Sequence, residues 1–354
     1  MNETETLKGI KTNEWINWEG KADVYYWNYS FSQRKELMEL IKLVKPDTIF
    51  INGLYSFYFN LLPLWYSLKT SQIKVVWSAR GMLHRGALAQ KAFKKKIFLS
   101  LIKLFRLHKK VVWHATDERE VHFIKQTMGD VQVMIAGNYP NLIEQLPVQT
   151  KISGQLVLGS VALISPMKNH KAIVEALQNC SASIKWLIYG PVKDDAYWNE
   201  CLQLIHQLPS NIEVVYKGEL PPPHLSTALD QMHVFIMPSE SENFGHAILE
   251  ALSAGKPVIT TTTTPFHQLT QQKAGIAVDV DGLEASLTRA IDHFSAMPQD
   301  PYNEFCRQAV VVAKNHVSID ELTGQYRKLF QPITKISEPI FAPNLKNQHD
   351  RTGN

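Results

Sequence analysis

At 354 residues and 40.3 kDa, with 45% hydrophobic and 20% charged residues, the chain has the composition of a soluble globular protein large enough for two domains, each with its own core. Its cysteines, Cys180, Cys201 and Cys306, lie too far apart to build a metal or redox centre, which suits a reducing cytosol, and the polar opening "MNETETLKGIK" lacks the apolar stretch of a signal peptide. The net charge of +4 hides an asymmetry: Thr48 to Thr116 carries 12 of the 37 Lys and Arg and none of the 33 Asp and Glu, so an anionic partner is expected there, whether a membrane surface, a phosphorylated substrate or nucleic acid.

In chain order, the first clear strand is "DTIFING". It opens an uncharged stretch from Thr48 to Leu68, "TIFINGLYSFYFNLLPLWYSL", long enough to cross a bilayer. Asn52, Gly53, Asn60 and Pro63 interrupt it, so a strand followed by a buried helix is predicted instead. "KVVWSAR" is the next strand. "ALAQKAFKKKIFLSLIKLFRLHKK", residues 87–110, then interleaves Lys and Arg with Phe, Leu and Ile. This is either an amphipathic helix with a solvated basic face or a helix that docks on anionic lipid. No recognised nucleic-acid-binding module accompanies the charge, so nucleic acid is not expected as a partner. "KVVWHAT" and "VQVMIAG" complete the strands of the first half.

Periodicity lapses over "NLIEQLPVQTKISGQ", residues 141–155, and a domain boundary is placed there: 1–145 form an amino-terminal domain, 146–331 a carboxyl-terminal domain, and 332–354 a disordered polar tail. The second domain supplies "LVLGSVALI", "IKWLIYG", "IEVVYKG", "HVFIMPS", "KPVITT" and "GIAVDV" as strands, with "IDELTGQYRKLF" as a last helix. Most of these strands are continuous apolar runs separated by helix-favouring stretches. That pattern belongs to parallel sheets covered on both faces, here two of them, with ligand expected between the sheets at the carboxyl ends of the strands.

One constellation carries chemistry. "HVFIMPS" leads into "ESENFGHAILEALSAGKPVI", where Glu242 and Glu250 stand eight positions apart. If Glu242, Asn243, Phe244 and Gly245 form a turn and a helix starts at about His246, free backbone N–H groups make an anion site, and Gly245 admits a phosphate close to the backbone. Glu250, one turn into the helix, can accept hydrogen bonds from vicinal hydroxyls. Earlier, "ALISPMKNHKAIVEAL" places Lys168 in a turn after a strand, as a solvated loop lysine or a point charge for a diphosphate. Structural readings are preferred for His84 and His114. Asp281 is read as an N-cap rather than, with Asp279, a metal ligand, and no Gly-x-Gly-x-x-Gly follows a strand.

Taken together, these segments resemble the retaining glycosyltransferases of family 4, of the bacterial polysaccharide- and lipopolysaccharide-assembly type. "PSESENFGHAILEALSAGKPVI" is similar to that family's E-x7-E signature, "SPMKN" to its phosphate-binding loop, and "SARGML" and "HATDERE" to segments of its polysaccharide-assembly members. The resemblance implies a GT-B fold: two Rossmann-like parallel-sheet domains facing across a cleft. It assigns Glu242 to the donor sugar, Glu250 to the ribose, Asn243, Phe244 and Gly245 to the diphosphate, and Lys168 to a phosphate, with no metal and no cofactor. Three departures accompany it. Leu163 stands where an Arg is usual; Arg80 stands in place of a first-domain His and takes its catalytic role beside Glu242; and no Gly-Gly occurs, as in an amino-terminal domain short of its first strand and Gly-rich loop. The expected activity is metal-independent hexosyl transfer, with retention, from a nucleotide-sugar to a lipid-linked or saccharide acceptor. The expected location is the cytoplasm, peripheral on the inner face of the cytoplasmic membrane. The alternative is a non-catalytic nucleotide-sugar-binding module or partner-dependent form.

Overall fold

A computed structural model describes residues 11–18, 20–27, 34–70, 73–89 and 91–332; the expected disordered tail, beyond Pro332 itself, lies outside them. Its contacts divide the chain into two units, one of residues 1–137 joined by 323 onward, the other of residues 138–322.

The amino-terminal unit opens with an antiparallel hairpin, β1 (Trp15–Trp18) and β2 (Ala22–Tyr25), in which Trp15 packs edge-on against Tyr25. The strand pattern had not marked it, because its residues are mostly exposed and form no apolar run. Then follow α1 (Arg34–Val44), β3 (Thr48–Asn52), α2 (Leu62–Lys69), β4 (Lys74–Ser78), α3 (Arg85–Ala89), α4 (Ala92–Leu104), β5 (Val112–Ala115), α5 (Glu118–Met128) and β6 (Val133–Ile135). β3, β4, β5 and β6 pair in that order, all parallel. Both faces are covered, which is why their sequences read as unbroken apolar runs. Trp77 and Trp113, on neighbouring strands, stack in the core with ring centroids 5.3 Å apart, and each indole N–H donates to a backbone carbonyl, of Gly53 and His108 respectively. The uncharged stretch is thus β3, a π-helical turn and α2, and no helix among the described residues is long and apolar enough to cross a membrane.

The second unit contains β7 (Gln155–Val161), α6 (His170–Leu177), β8 (Ser183–Tyr189), α7 (Asp195–Ile205), β9 (Ile212–Tyr216), α8 (Leu225–Asp230), β10 (Val234–Met237), α9 (His246–Ser253), β11 (Val258–Thr261), β12 (Gly275–Val278), α10 (Leu283–Ala296) and α11 (Gln299–His316). Its parallel sheet has the order β9-β8-β7-β10-β11-β12. One face is filled by Leu158, Trp186 and Ile236, the other by Leu187, Phe235 and Leu249.

The last helix, α12 (Ile319–Phe330), begins in this unit, and the contact boundary falls inside it, between Leu322 and Thr323. Its second half belongs with the first unit. Gln325 accepts from the Gly137 N–H at 2.9 Å, the Tyr326 hydroxyl donates to the Gly137 carbonyl at 3.0 Å, and Phe330 packs on Phe50. Sequence position had placed this helix with residues 146–331; its apolar face is used instead on the amino-terminal sheet.

Candidate functional site

In the order β9-β8-β7-β10-β11-β12, chain connections run one way from β7 and the other way from β10. A crevice must open between the loops that leave these two strands, and in such sheets that is where ligands bind. Lys168 leaves β7 and Glu242 leaves β10, so both residues singled out by sequence lie at this point.

The two loops are joined by backbone and side chain. After β7, Pro166–Lys168 form a single 3-10 turn that ends at Asn169, in the left-handed region at φ +53°. The Asn169 amide donates to the Pro238 carbonyl at 2.8 Å, and the Glu240 N–H donates to the Met167 carbonyl at 3.0 Å. Between these bonds the Lys168 ammonium pairs directly with the Glu242 carboxylate, both largely shielded from solvent. A cation for phosphate and an acid for hydroxyls are thus presented side by side.

Gly245 ends the turn at φ +75° and α9 begins at His246, with no side chain capping the helix. The first turn of a helix leaves N–H groups without intrahelical acceptors, and the positive end of the helix dipole lies with them. Asn243 is exposed above this turn, whereas the Phe244 ring packs beside His246 and His316. The Ser239 hydroxyl, completely buried, has no hydrogen-bond partner among the described residues, while its carbonyl accepts from Thr261 at 2.6 Å. An orphaned hydroxyl is costly, so Ser239→Ala is expected to raise stability by about 1 kcal/mol, measured by thermal melting.

Glu250 lies one turn into α9. Burial pushes its carboxyl up to about 7, opposed by a hydrogen bond from Asn141. Asn141 belongs to the segment where periodicity lapses, which has no regular structure but is packed along α9: the Ile143 N–H donates to the Ser253 hydroxyl at 2.9 Å, and Leu146 N–H to the Ala254 carbonyl at 3.1 Å. Sequence reasoning missed this segment as part of the site, since its role comes from irregular chain lying on a helix. It also missed His170, fully buried at the start of α6, its ring stacked on Trp186 and its titration lowered to about 4 by burial and by Lys168.

Other predicted residues belong to other elements of the chain. Arg80 lies in the amino-terminal unit, just past β4, at φ +48°, donating to the Asn52 side chain at 2.9 Å. Glu120 braces that loop, accepting from the Gly81 N–H at 2.6 Å and from Thr116. His114 is a satisfied structural histidine: Nε2 donates to the Ala136 carbonyl, which leaves Nδ1 to accept from Ser78, and burial lowers its titration. Asp281 is not an N-cap; Gly282, at φ +64°, precedes α10 without any side-chain cap, and Asp279 accepts from Thr262 at 3.1 Å. Among the described residues, no group of three or more His, Cys, Asp or Glu side chains is disposed to hold a metal.

Two parallel α/β sheets, the second with a switch-point crevice holding a basic turn and an uncapped helix, define a glycosyltransferase fold of the GT-B type. Residues 143–310 match the family model described as Glycosyl transferases group 1, in line with the sequence resemblance. The chain is 31% identical over 176 residues to a GDP-mannose-dependent alpha-mannosyltransferase of Mycolicibacterium smegmatis, covering 49% of this chain and 43% of that one. It is 29% identical over 161 residues to the O-antigen chain mannosyltransferase B of Escherichia coli, covering 42% and 40% respectively. The matches thus span less than half the length of these curated relatives. Among solved structures, Anabaena HepE in complex with UDP and glucose superposes with a TM-score of 0.60 at 17% identity, over 86% of this chain and 85% of that one. Sucrose-phosphate synthase of Thermosynechococcus elongatus follows at 0.56 and 17% identity, over 88% and 82%. At these identities the structures speak for the fold.

Proposed function

We propose that the protein is a retaining, metal-independent glycosyltransferase that moves a hexosyl group from a nucleotide-sugar to a lipid-linked or saccharide acceptor in cell-surface polysaccharide assembly. The observation that carries this reading is the meeting of Lys168, Glu242 and the uncapped start of α9 at the β7–β10 switch point of a group 1 domain. In this reading the N–H groups of the turn at Phe244 and Gly245, just before α9, together with Asn243, hold the diphosphate. Lys168 turns from Glu242 to the phosphate when donor binds, which frees the Glu242 carboxylate to accept from sugar hydroxyls. Glu250 accepts from the ribose. Helix dipole and ammonium then stabilise the charge that grows on the leaving diphosphate, and the acceptor hydroxyl attacks from the face that group vacates. Arg80 is the amino-terminal unit's catalytic candidate, as a cation fixed by Asn52.

The acceptor's lipid linkage is supported by α4. Its inner face buries Leu99 and Ile102, but Phe93, Ile97, Leu101 and Leu104 form an exposed stripe at spacings of four, four and three, with Phe93 at 76% and Leu104 at 72%. Lys94, Lys96 and Lys103 flank it. A solvated basic face does not require such a stripe, whereas docking on an anionic cytoplasmic membrane surface uses both features, each basic residue adding about 1 kcal/mol.

The test is calorimetric titration of the protein with nucleoside diphosphates and nucleotide-sugars, GDP-mannose and UDP-glucose among them, followed by transfer assays with and without EDTA. Micromolar-range binding of one nucleoside diphosphate and EDTA-insensitive transfer with retained anomeric configuration are expected. Failure of every nucleotide to bind rejects the site. Binding without transfer points to a non-catalytic module.

A further inference from the structure

A second concavity lies in the amino-terminal unit, formed by elements that none of the proposed roles employs. α1, the π-helical turn before α2, α2 itself and the turn after α4 enclose a groove of about 730 Å³. Leu61, Leu64, Trp65 and Leu107 supply apolar walls, and Lys35, Lys42 and Glu39 bring charge to them. The groove is within the size range of small-ligand sites. Its walls offer too few polar groups to orient a sugar or a base, which need convergent donors and acceptors. What such walls can hold is a hydrocarbon chain.

We infer that this groove takes the hydrocarbon chain of a lipid phosphate, with Lys35 and Lys42 facing the phosphate. The inference rests on the lipid-linked acceptor reading and specifies where this chain would receive the lipid. Charge complementarity favours an anionic head. Lys35 and Lys42 form no ion pair among the described residues, and α2 and Leu107 fall within the stretch from Thr48 to Thr116 that holds 12 basic residues and no acid. Trp65 and Phe57 are half exposed in the groove wall, and Lys69 lies 3.6 Å above the Trp65 ring, so amphipathic side chains stand where an apolar chain would meet a polar head. The groove also adjoins α4 along the chain: Leu107 lines it, and the exposed Leu104 and Phe105 immediately precede that turn. A second copy of the chain is a poor occupant, because a two-fold interface would set Lys35, Lys42 and the basic stretch beside them against their own copies. The amino-terminal residues, "MNETETLKGI", carry too few apolar side chains to fill it.

The probe is dodecyl phosphate below its micellar concentration, titrated calorimetrically into the full chain, with inorganic phosphate and dodecyl maltoside as the head-only and neutral-head arms. One-to-one binding of dodecyl phosphate is expected, with the maltoside about tenfold weaker and inorganic phosphate without measurable heat. Leu61→Trp, which fills the groove, and the exposed pair Lys35→Glu with Lys42→Glu should each weaken dodecyl phosphate binding by about tenfold, with the charge variant melting as the parent does. Phe93→Ser with Leu104→Ser should leave it unchanged. Equal binding of inorganic phosphate, equal binding of the maltoside, or indifference to both the filling and the charge variants overturns the inference. Nucleoside diphosphates are titrated into the same samples. Nucleotide binding without dodecyl phosphate binding removes the groove and leaves the donor site standing; dodecyl phosphate binding without nucleotide supports the groove and removes the donor reading.

Discussion

Gly245→Ala is expected to weaken nucleoside diphosphate binding on the order of a hundredfold, and Gly245→Val to abolish it. Gly245 holds φ +75°, where an L side chain costs about 1–2 kcal/mol, and a Cβ there would stand 3.0 Å from Phe266 Cε2. Phe266 has little freedom to withdraw, since it is buried and stacked on His316 at 4.4 Å. The strain is relieved most easily by rotating the peptide at the start of α9, which turns away the N–H groups proposed to hold the diphosphate. Alanine separates the two effects: it should lower the melting temperature modestly while lowering affinity severely. Full affinity for nucleoside diphosphate in a folded Gly245→Ala protein would remove the turn from the site.

Glu250→Gln is expected to lose most nucleotide affinity yet to melt higher than the parent at pH 8, and not at pH 4. The opposite signs have one cause. Burial pushes the Glu250 carboxyl up to about 7, so the folded protein prefers it protonated, whereas in the unfolded chain it ionises near its ordinary value of 4.5. Below that value the preference costs nothing. As pH rises towards 7, the unfolded state gains by ionising first and native stability falls, by roughly 2–3 kcal/mol after allowance for partial screening. Glutamine cannot ionise and escapes this loss. A ribose hydroxyl donating to the carboxylate favours the ionised form, so parent affinity should rise with pH through 7 with release of a proton, while that of Glu250→Gln should stay flat. Calorimetry in buffers of different ionisation enthalpy counts the proton. A parent affinity indifferent to pH across this range would detach Glu250 from the ligand.

Much of this architecture was legible in the residues. Runs such as "IKWLIYG" and "HVFIMPS" are apolar on consecutive positions because parallel strands are buried on both faces, and all ten strands read in this way occur in the two parallel sheets. The start of α9 at His246 was also legible, since a glycine between a strand and a helix-favouring run marks the turn. The hairpin β1–β2 was not, because its exposed tryptophans mimic no buried period. Nor was the start of α10, where Gly282 in the left-handed region takes the N-cap position expected of Asp281 and no side chain caps the helix.

By itself, then, the sequence determined local matters: which residues form strands and helices, where each turns, and which side chains of suitable chemistry stand at the turns. These follow from periodicity and backbone preference, which act over a few residues. Only the tertiary structure decided the long-range ones. The strand order brings β7 beside β10 although 72 residues lie between the end of one and the start of the other, and so turns Lys168 and Glu242 from two loop residues into an ion pair. Asn141, from irregular chain, hydrogen-bonds Glu250 and opposes the rise that burial imposes on its carboxyl, and the second half of α12 returns to the amino-terminal unit. Such contacts depend on which surfaces remain to be buried once the sheets have formed, and no local pattern encodes that.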